Sequence, residues 1–181
     1  MPRYLVLLLL TSCAPAYKGA ILDIHAHVRF GDDDAAKPDQ PKGTQAIIAL
    51  DDAAGVRDAN ETGEFVMLAV KNPQTKFVLA HLGGVRFPEM AVFAFIREFD
   101  WYKRNVWFDL SFVAAFYAAS PFADQLRWVC RQIGVDRLVF GSDFPVDSPR
   151  VAADAIRKLG LSVDEQRQIF FDNAKQLLEG R

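Results

Sequence analysis

Residues 137–145, RLVFGSDFP, decide how the chain is read: a short apolar run stops at a glycine and gives way to a polar turn. Branched and aromatic residues in such a run suit a strand buried on both faces. Directly downstream, Ser148 and Pro149 make an N-cap and a first helical position. Val151, Ala155, Ile156 and Leu159 then fall on one helical stripe. Ser162-x-x-Glu165 is a capping box that opens a last helix carrying Phe170, Ala174, Leu177 and Leu178.

Working outward, the same alternation recurs. Residues 106–111 (VWFDLS) read as a strand and residues 122–133 as a helix. Residues 76–81 (KFVLAH) read as a strand that follows a helix over 64–71, which Asn72-Pro73 stops. Residues 88–102 read as one helix, apolar nearly all round, and such a helix buries several sides or lies at an interface. Residues 21–27 (ILDIHAH) give the fourth strand, whereas the mixed pattern of 44–60 suggests the start of a helix. Strands alternating with helices imply βα units and a parallel sheet.

The polar residues cluster at the ends of these strands. On a strand, the i, i+2 spacing of His25 and His27 aims both imidazoles into one space, where neutral nitrogens ligate a divalent metal. His81 ends a second strand, just before Gly83-Gly84, and Asp143 lies just past a third. Singly, each has a plain alternative: H-x-H arises by chance, His81 suits a hydrogen-bonded strand terminus, and Asp143 suits a turn. Together they sit at the carboxyl ends of parallel strands, where functional groups of α/β folds gather.

With these motifs in hand (DIHAH, FVLAHLGG, NVWFDLS, DRLVFGSDFP and then IFFDNAKQLL), the chain resembles the amidohydrolase-related branch of the amidohydrolase superfamily over roughly residues 19–181. The resemblance implies an α/β fold derived from the (β/α)₈ TIM barrel and a metal-dependent hydrolase or decarboxylase. By motif, His25, His27 and Asp143 would be metal ligands, with zinc the first choice and manganese the second. Asp143 would also serve as base for metal-bound water attacking a lactone or amide carbonyl. His81 would orient or polarise substrate, or activate water. Arg29 and Arg86 follow the two histidine motifs and could hold a substrate carboxylate, because arginine forks match that group. They also read as surface arginines in polar loops.

The resemblance also shows a gap. A full barrel takes about 250 residues. The four strands assigned above correspond to the family's first, sixth, seventh and eighth. Its second to fifth strands would fall at about residues 59–61, where no residues exist to make them. The ligand that the family draws from that region, a histidine or a bridging lysine, has no counterpart: no histidine lies between His27 and His81, and Lys42 matches no family motif. The chain thus reads as a family member with an internal deletion, about four parallel strands with outer helices. Such a half barrel would expose one inner face and two unpaired edges, which invites self-association, including pairing of two copies into a barrel-like dimer. A catalytically inactive binding protein of the same ancestry, and a defective gene product without a stable fold, are the competing readings.

Composition bounds the rest. In 181 residues there are 21 basic and 23 acidic side chains, a formal charge of −2, which excludes the basic footprint of a nucleic-acid binder. Two cysteines, Cys13 and Cys130, are too few for a disulfide scaffold. Residues 1–18 read as a signal or lipoprotein leader: Arg3, an apolar run over 4–10, then Leu10-Thr11-Ser12-Cys13, which resembles a bacterial lipobox. That implies a cell-envelope location, periplasmic or membrane-anchored through a lipid on Cys13. The same run also suits a buried first strand or an extension without targeting meaning, in a cytoplasmic protein.

Overall fold

A computed structural model of the chain describes residues 17–23, 47–50, 59–72 and 75–179. Strands β1 (Ile47–Leu50), β2 (Lys76–Leu79), β3 (Val106–Asp109) and β4 (Leu138–Val139) form one sheet in the order β1-β2-β3-β4. Every neighbouring pair is parallel: Leu50 lies beside Leu79, Leu79 beside Phe108, and Phe108 beside Leu138. The connections are helical, with α1 (Ala59–Lys71) before β2, and α2 (Asp100–Asn105) before β3. Helices α3 (Val113–Tyr117) and α4 (Ala123–Ile133) precede β4, and α5 (Pro149–Lys158), α6 (Val163–Arg167) and α7 (Asn173–Glu179) follow it. A single π-helical turn, Gln168–Asp172, joins α6 to α7.

Three sequence expectations need correction. The segment 44–60 does not start as a helix: Ile47–Leu50 is a strand, and it occupies the sheet position beside β2. Four apolar residues carry no period that separates strand from helix, so pairing with β2 decides. Among the described residues of 21–27, Leu22 makes only an isolated bridge; residues 24–27 lie outside the described residues. Residues 88–102 are not one helix either. After β2 the chain passes through a kinked turn with positive φ at residues 81–84, continues in 3₁₀-type turns to Phe95, turns again over 96–99, and enters α2 at Asp100. The break lets Phe93 and Tyr102, 6.1 Å apart, both enter the core. Val92 and the strongly exposed Phe95 instead line an apolar cleft of about 730 Å³ against Val66 and Met67 of α1.

The third correction concerns the inner face. Side chains on successive strand residues point to opposite faces. Phe77, Leu79, Val106, Phe108 and Leu138 join the larger core with Phe65, Phe93 and Tyr102, whereas Val78, Trp107 and Val139 form a second cluster. Leu22, Phe171, Ala174 and Leu177 cover that second face, leaving Val78, Trp107 and Val139 buried. The face expected to be open is therefore packed by residues of the C-terminal helix.

Backbone and side-chain bonds lock this helix in place. The π turn presents carbonyls to the sheet: Ile169 O accepts from Phe140 N–H at 3.0 Å and Phe170 O from Leu22 N–H at 2.7 Å. Asn173 donates from Nδ2 to Leu138 O at 2.6 Å and to Val135 O at 2.8 Å. The Ser148 cap and the Ser162–Glu165 capping box are present as the sequence indicates. Arg131 of α4 grips Glu165 with Nε and Nη2, at 2.8 and 3.0 Å. Burial pushes the Cys130 thiol up to about 12, so it behaves as a small apolar core residue.

The capping box sets two expectations. Ser162→Ala should cost about 1 kcal/mol in urea unfolding, the usual loss for an N-cap hydroxyl. The Arg131 hydrogen bonds hold the Glu165 carboxyl down at about 2, from 4.5, despite partial burial that opposes the shift. A depressed folded value means that this contribution is present above pH 4.5 and fades as pH falls towards 2. Thermal unfolding of Glu165→Gln beside the native chain should therefore show a gap that narrows across that window. A constant gap would remove Glu165 from the acid dependence.

Candidate functional site

The site is built where β2, β3 and β4 end. Among the described residues, the four non-glycine residues with positive φ are His81 (55°), Leu82 (47°), Phe112 (53°) and Asp143 (58°), all in the turns directly after these strands. Left-handed backbone costs a side-chain-bearing residue roughly 1–3 kcal/mol and persists only where the surroundings fix it. At His81 the fixing group is Asp109, the last residue of β3. Its Oδ1 accepts the His81 backbone N–H at 3.2 Å, the Ser111 N–H at 2.9 Å, and the Ser111 hydroxyl. Ser111 Oγ in turn lies 2.9 Å from His81 Nδ1. His81, Asp109 and Ser111 are all buried, and the His81 ring meets Phe112 edge-on at 5.9 Å.

Asp143 is held by a second set of bonds. It is buried, its carbonyl accepts Val146 N–H at 2.7 Å, and the neighbouring Ser142 Oγ accepts Phe144 N–H at 3.2 Å. Ser142 donates its own N–H to Asp23 Oδ1 at 3.0 Å. The first residue of the DIHAH motif is thereby fixed against the residue preceding Asp143. His81 and Asp143 follow β2 and β4, the two neighbours of β3, at the same edge of the sheet. Arg86 lies in the turn that follows Gly83-Gly84 and forks onto Glu89, with Nη2 at 2.5 Å and Nε at 3.1 Å. His25, His27, Arg29 and Cys13 lie outside the described residues. Among the described residues, no three His, Cys, Asp or Glu side chains come together as a metal site.

Asp23, Asp109, Ser111 and Ser142 were not singled out by the sequence reading. The signal for Asp109 was present: one acid inside an otherwise apolar strand, with a serine two residues on. A buried carboxylate needs donors, and here two backbone N–H groups and a hydroxyl supply them.

A parallel α/β sheet with polar side chains gathered at its carboxyl edge defines a class of enzyme-like folds. Residues 63–180 match the family described as Amidohydrolase, and the chain belongs to that family. An uncharacterised TIM-barrel protein from Bordetella bronchiseptica is 22% identical, with a TM-score of 0.54, over 75% of this chain and 46% of that one. A candidate 2-pyrone-4,6-dicarboxylic acid hydrolase from Pseudomonas putida is 22% identical, with a TM-score of 0.48, over 63% of this chain and 47% of that one. A dihydroxybenzoic acid decarboxylase from Polaromonas, solved with bound manganese, is 21% identical, with a TM-score of 0.45, over 63% and 37%. No curated protein matches the chain. The likeness to the Bordetella protein makes the fold part of a TIM barrel, and the chain spans less than half the length of these solved relatives.

Asp109→Ala leaves two buried N–H groups and a hydroxyl without their acceptor and should cost about 2–4 kcal/mol in denaturant unfolding. Asp109→Asn keeps an oxygen there and should cost about 1 kcal/mol. Equal losses would show that the acceptor oxygen is not what stabilises these turns.

Proposed function

We propose that the chain is a metal-dependent hydrolase of the amidohydrolase family acting on a small carboxylate-bearing substrate with a lactone- or amide-type carbonyl. The observation that supports this reading is the Asp23–Ser142 bond, which holds Asp23, two residues before His25 in the sequence, against the turn bearing Asp143. Two imidazoles and a carboxylate form a donor set suited to a divalent ion, zinc or manganese. His25, His27 and Asp143 would hold it. A bound ion of this kind lowers the pKa of its water towards ~7 and polarises a carbonyl. Asp143 accepts the proton of the attacking water, and His81, on the neighbouring turn, shares the handling of protons or positions the carbonyl oxygen.

Arg29 is the favoured group for the substrate carboxylate, since the Arg86 fork already engages Glu89. We also propose that the protein is attached to the cell envelope through a lipid on Cys13, on the strength of Leu10-Thr11-Ser12-Cys13.

Metal per chain, measured on the purified protein in its main size-exclusion peak, tests the reading. About one zinc or manganese per chain is expected, lost in the His25→Ala/His27→Ala double variant. With that metal supplied, Asp143→Asn should lower hydrolysis of lactone or amide substrates by about 10²–10⁴-fold, the usual worth of a general base. A folded protein that takes up no metal would sink the proposal and favour a non-catalytic binding role.

A further inference from the structure

Sequence leaves two opposed roles for His81: a hydrogen-bond donor that polarises a substrate oxygen, or a base that takes a proton. The choice depends on which ring nitrogen carries hydrogen in the neutral side chain. From the bonds around Ser111 we infer that Asp109 and Ser111 are positioning residues that fix neutral His81 as the Nδ1–H tautomer, so that Nε2 works as a proton acceptor.

The argument is a count of hydrogens. A serine hydroxyl has one hydrogen and two lone pairs, and a carboxylate oxygen offers lone pairs only. The Ser111 hydroxyl donates its hydrogen to Asp109 Oδ1. None is left for His81, so the 2.9 Å contact between Ser111 Oγ and His81 Nδ1 is made by a hydrogen on the ring nitrogen. In a neutral imidazole the other nitrogen, Nε2, then carries the lone pair. Asp109 cannot rotate out of this role cheaply, because the same oxygen holds the backbone N–H groups of His81 and Ser111. The first of those bonds also holds the left-handed backbone of His81. Burial strengthens each of the bonds, since water does not compete for them.

The chemical consequence is definite. When Nε2 takes a proton from water, the O–H bond breaks, the oxygen keeps the electron pair, and the ring becomes imidazolium. Its Nδ1–H points through Ser111 to the Asp109 carboxylate, which stabilises the new charge. The inference deepens the proposed role of His81 in a hydrolytic site, but its test reads the ring itself and requires neither metal nor turnover.

Long-range proton–nitrogen NMR on the full chain, labelled with ¹⁵N-histidine at about pH 8.5, well above the ordinary imidazole pKa, reports the tautomer. His81 should show a pyrrole-type shift at Nδ1 and a pyridine-type shift at Nε2, assigned by loss of the pattern in His81→Gln. Free imidazole side chains favour Nε2–H, so Ser111→Ala should reverse the order of the two shifts. A wild-type ring protonated at Nε2 would overturn the inference without any variant. An unchanged pattern in folded Ser111→Ala would overturn the part played by Ser111. If metal binding fails while the Nδ1–H pattern is found, the hydrolase proposal falls and the tautomer assignment stands.

Discussion

Two carbonyl groups hold the molecule together at the point where everything else converges. In a regular α-helix, Ile169 O and Phe170 O would be satisfied within the helix. The π turn at Gln168–Asp172 shifts the bonding pattern, and these oxygens accept from Phe140 and Leu22 outside the helix. One helix is thereby bonded to the end of β4 and to a segment more than a hundred residues earlier in the chain. Asn173 adds two further bonds, one to Leu138 at the start of β4 and one to Val135 just before it. With Leu22 so fixed, Asp23 reaches Ser142, and Asp143 is the next residue along. π turns are rare and frequent at functional sites, because they free backbone groups for such outside bonds.

The same helix gives the sheet a second core. A barrel closes its inner face with its own strands; here Phe171, Ala174 and Leu177 provide the cover. Trp107 lies in that cluster with the Arg137 guanidinium 4.2 Å above its ring, and burial lowers the arginine's pKa while Asp136 pulls the other way. Stability on this face therefore depends on the last turns of the chain, and on Leu177 above all, since Lys76 Nζ also donates to its carbonyl.

Legibility followed the range of the physics. The strands at Lys76, Val106 and Leu138 could be read because apolar residues on both faces leave few alternatives. The caps at Ser148 and Ser162 could be read because the donor, acceptor and spacing all lie within four residues. The strand at Ile47 could not, since only β2 distinguishes it from a helix. The break at 96–99 was hidden for a similar reason: no Gly or Pro marks it, and the demand comes from Phe93 and Tyr102 meeting in the core. His81 and Asp143 stood out as polar residues at strand ends. Their supports, Asp109 and Asp23, did not, because what they bond is backbone from other parts of the chain.

The positive φ values at His81 and Asp143 have a consequence for how this sequence tolerates change. Glycine or asparagine would occupy either position with less strain. A selection that weighed backbone ease alone would favour those residues and erase both the imidazole and the carboxylate. The histidine and aspartate that stand there carry a backbone cost that their buried side chains must offset through contacts, so a descendant selected for folding alone would be the wrong place to look for this chemistry.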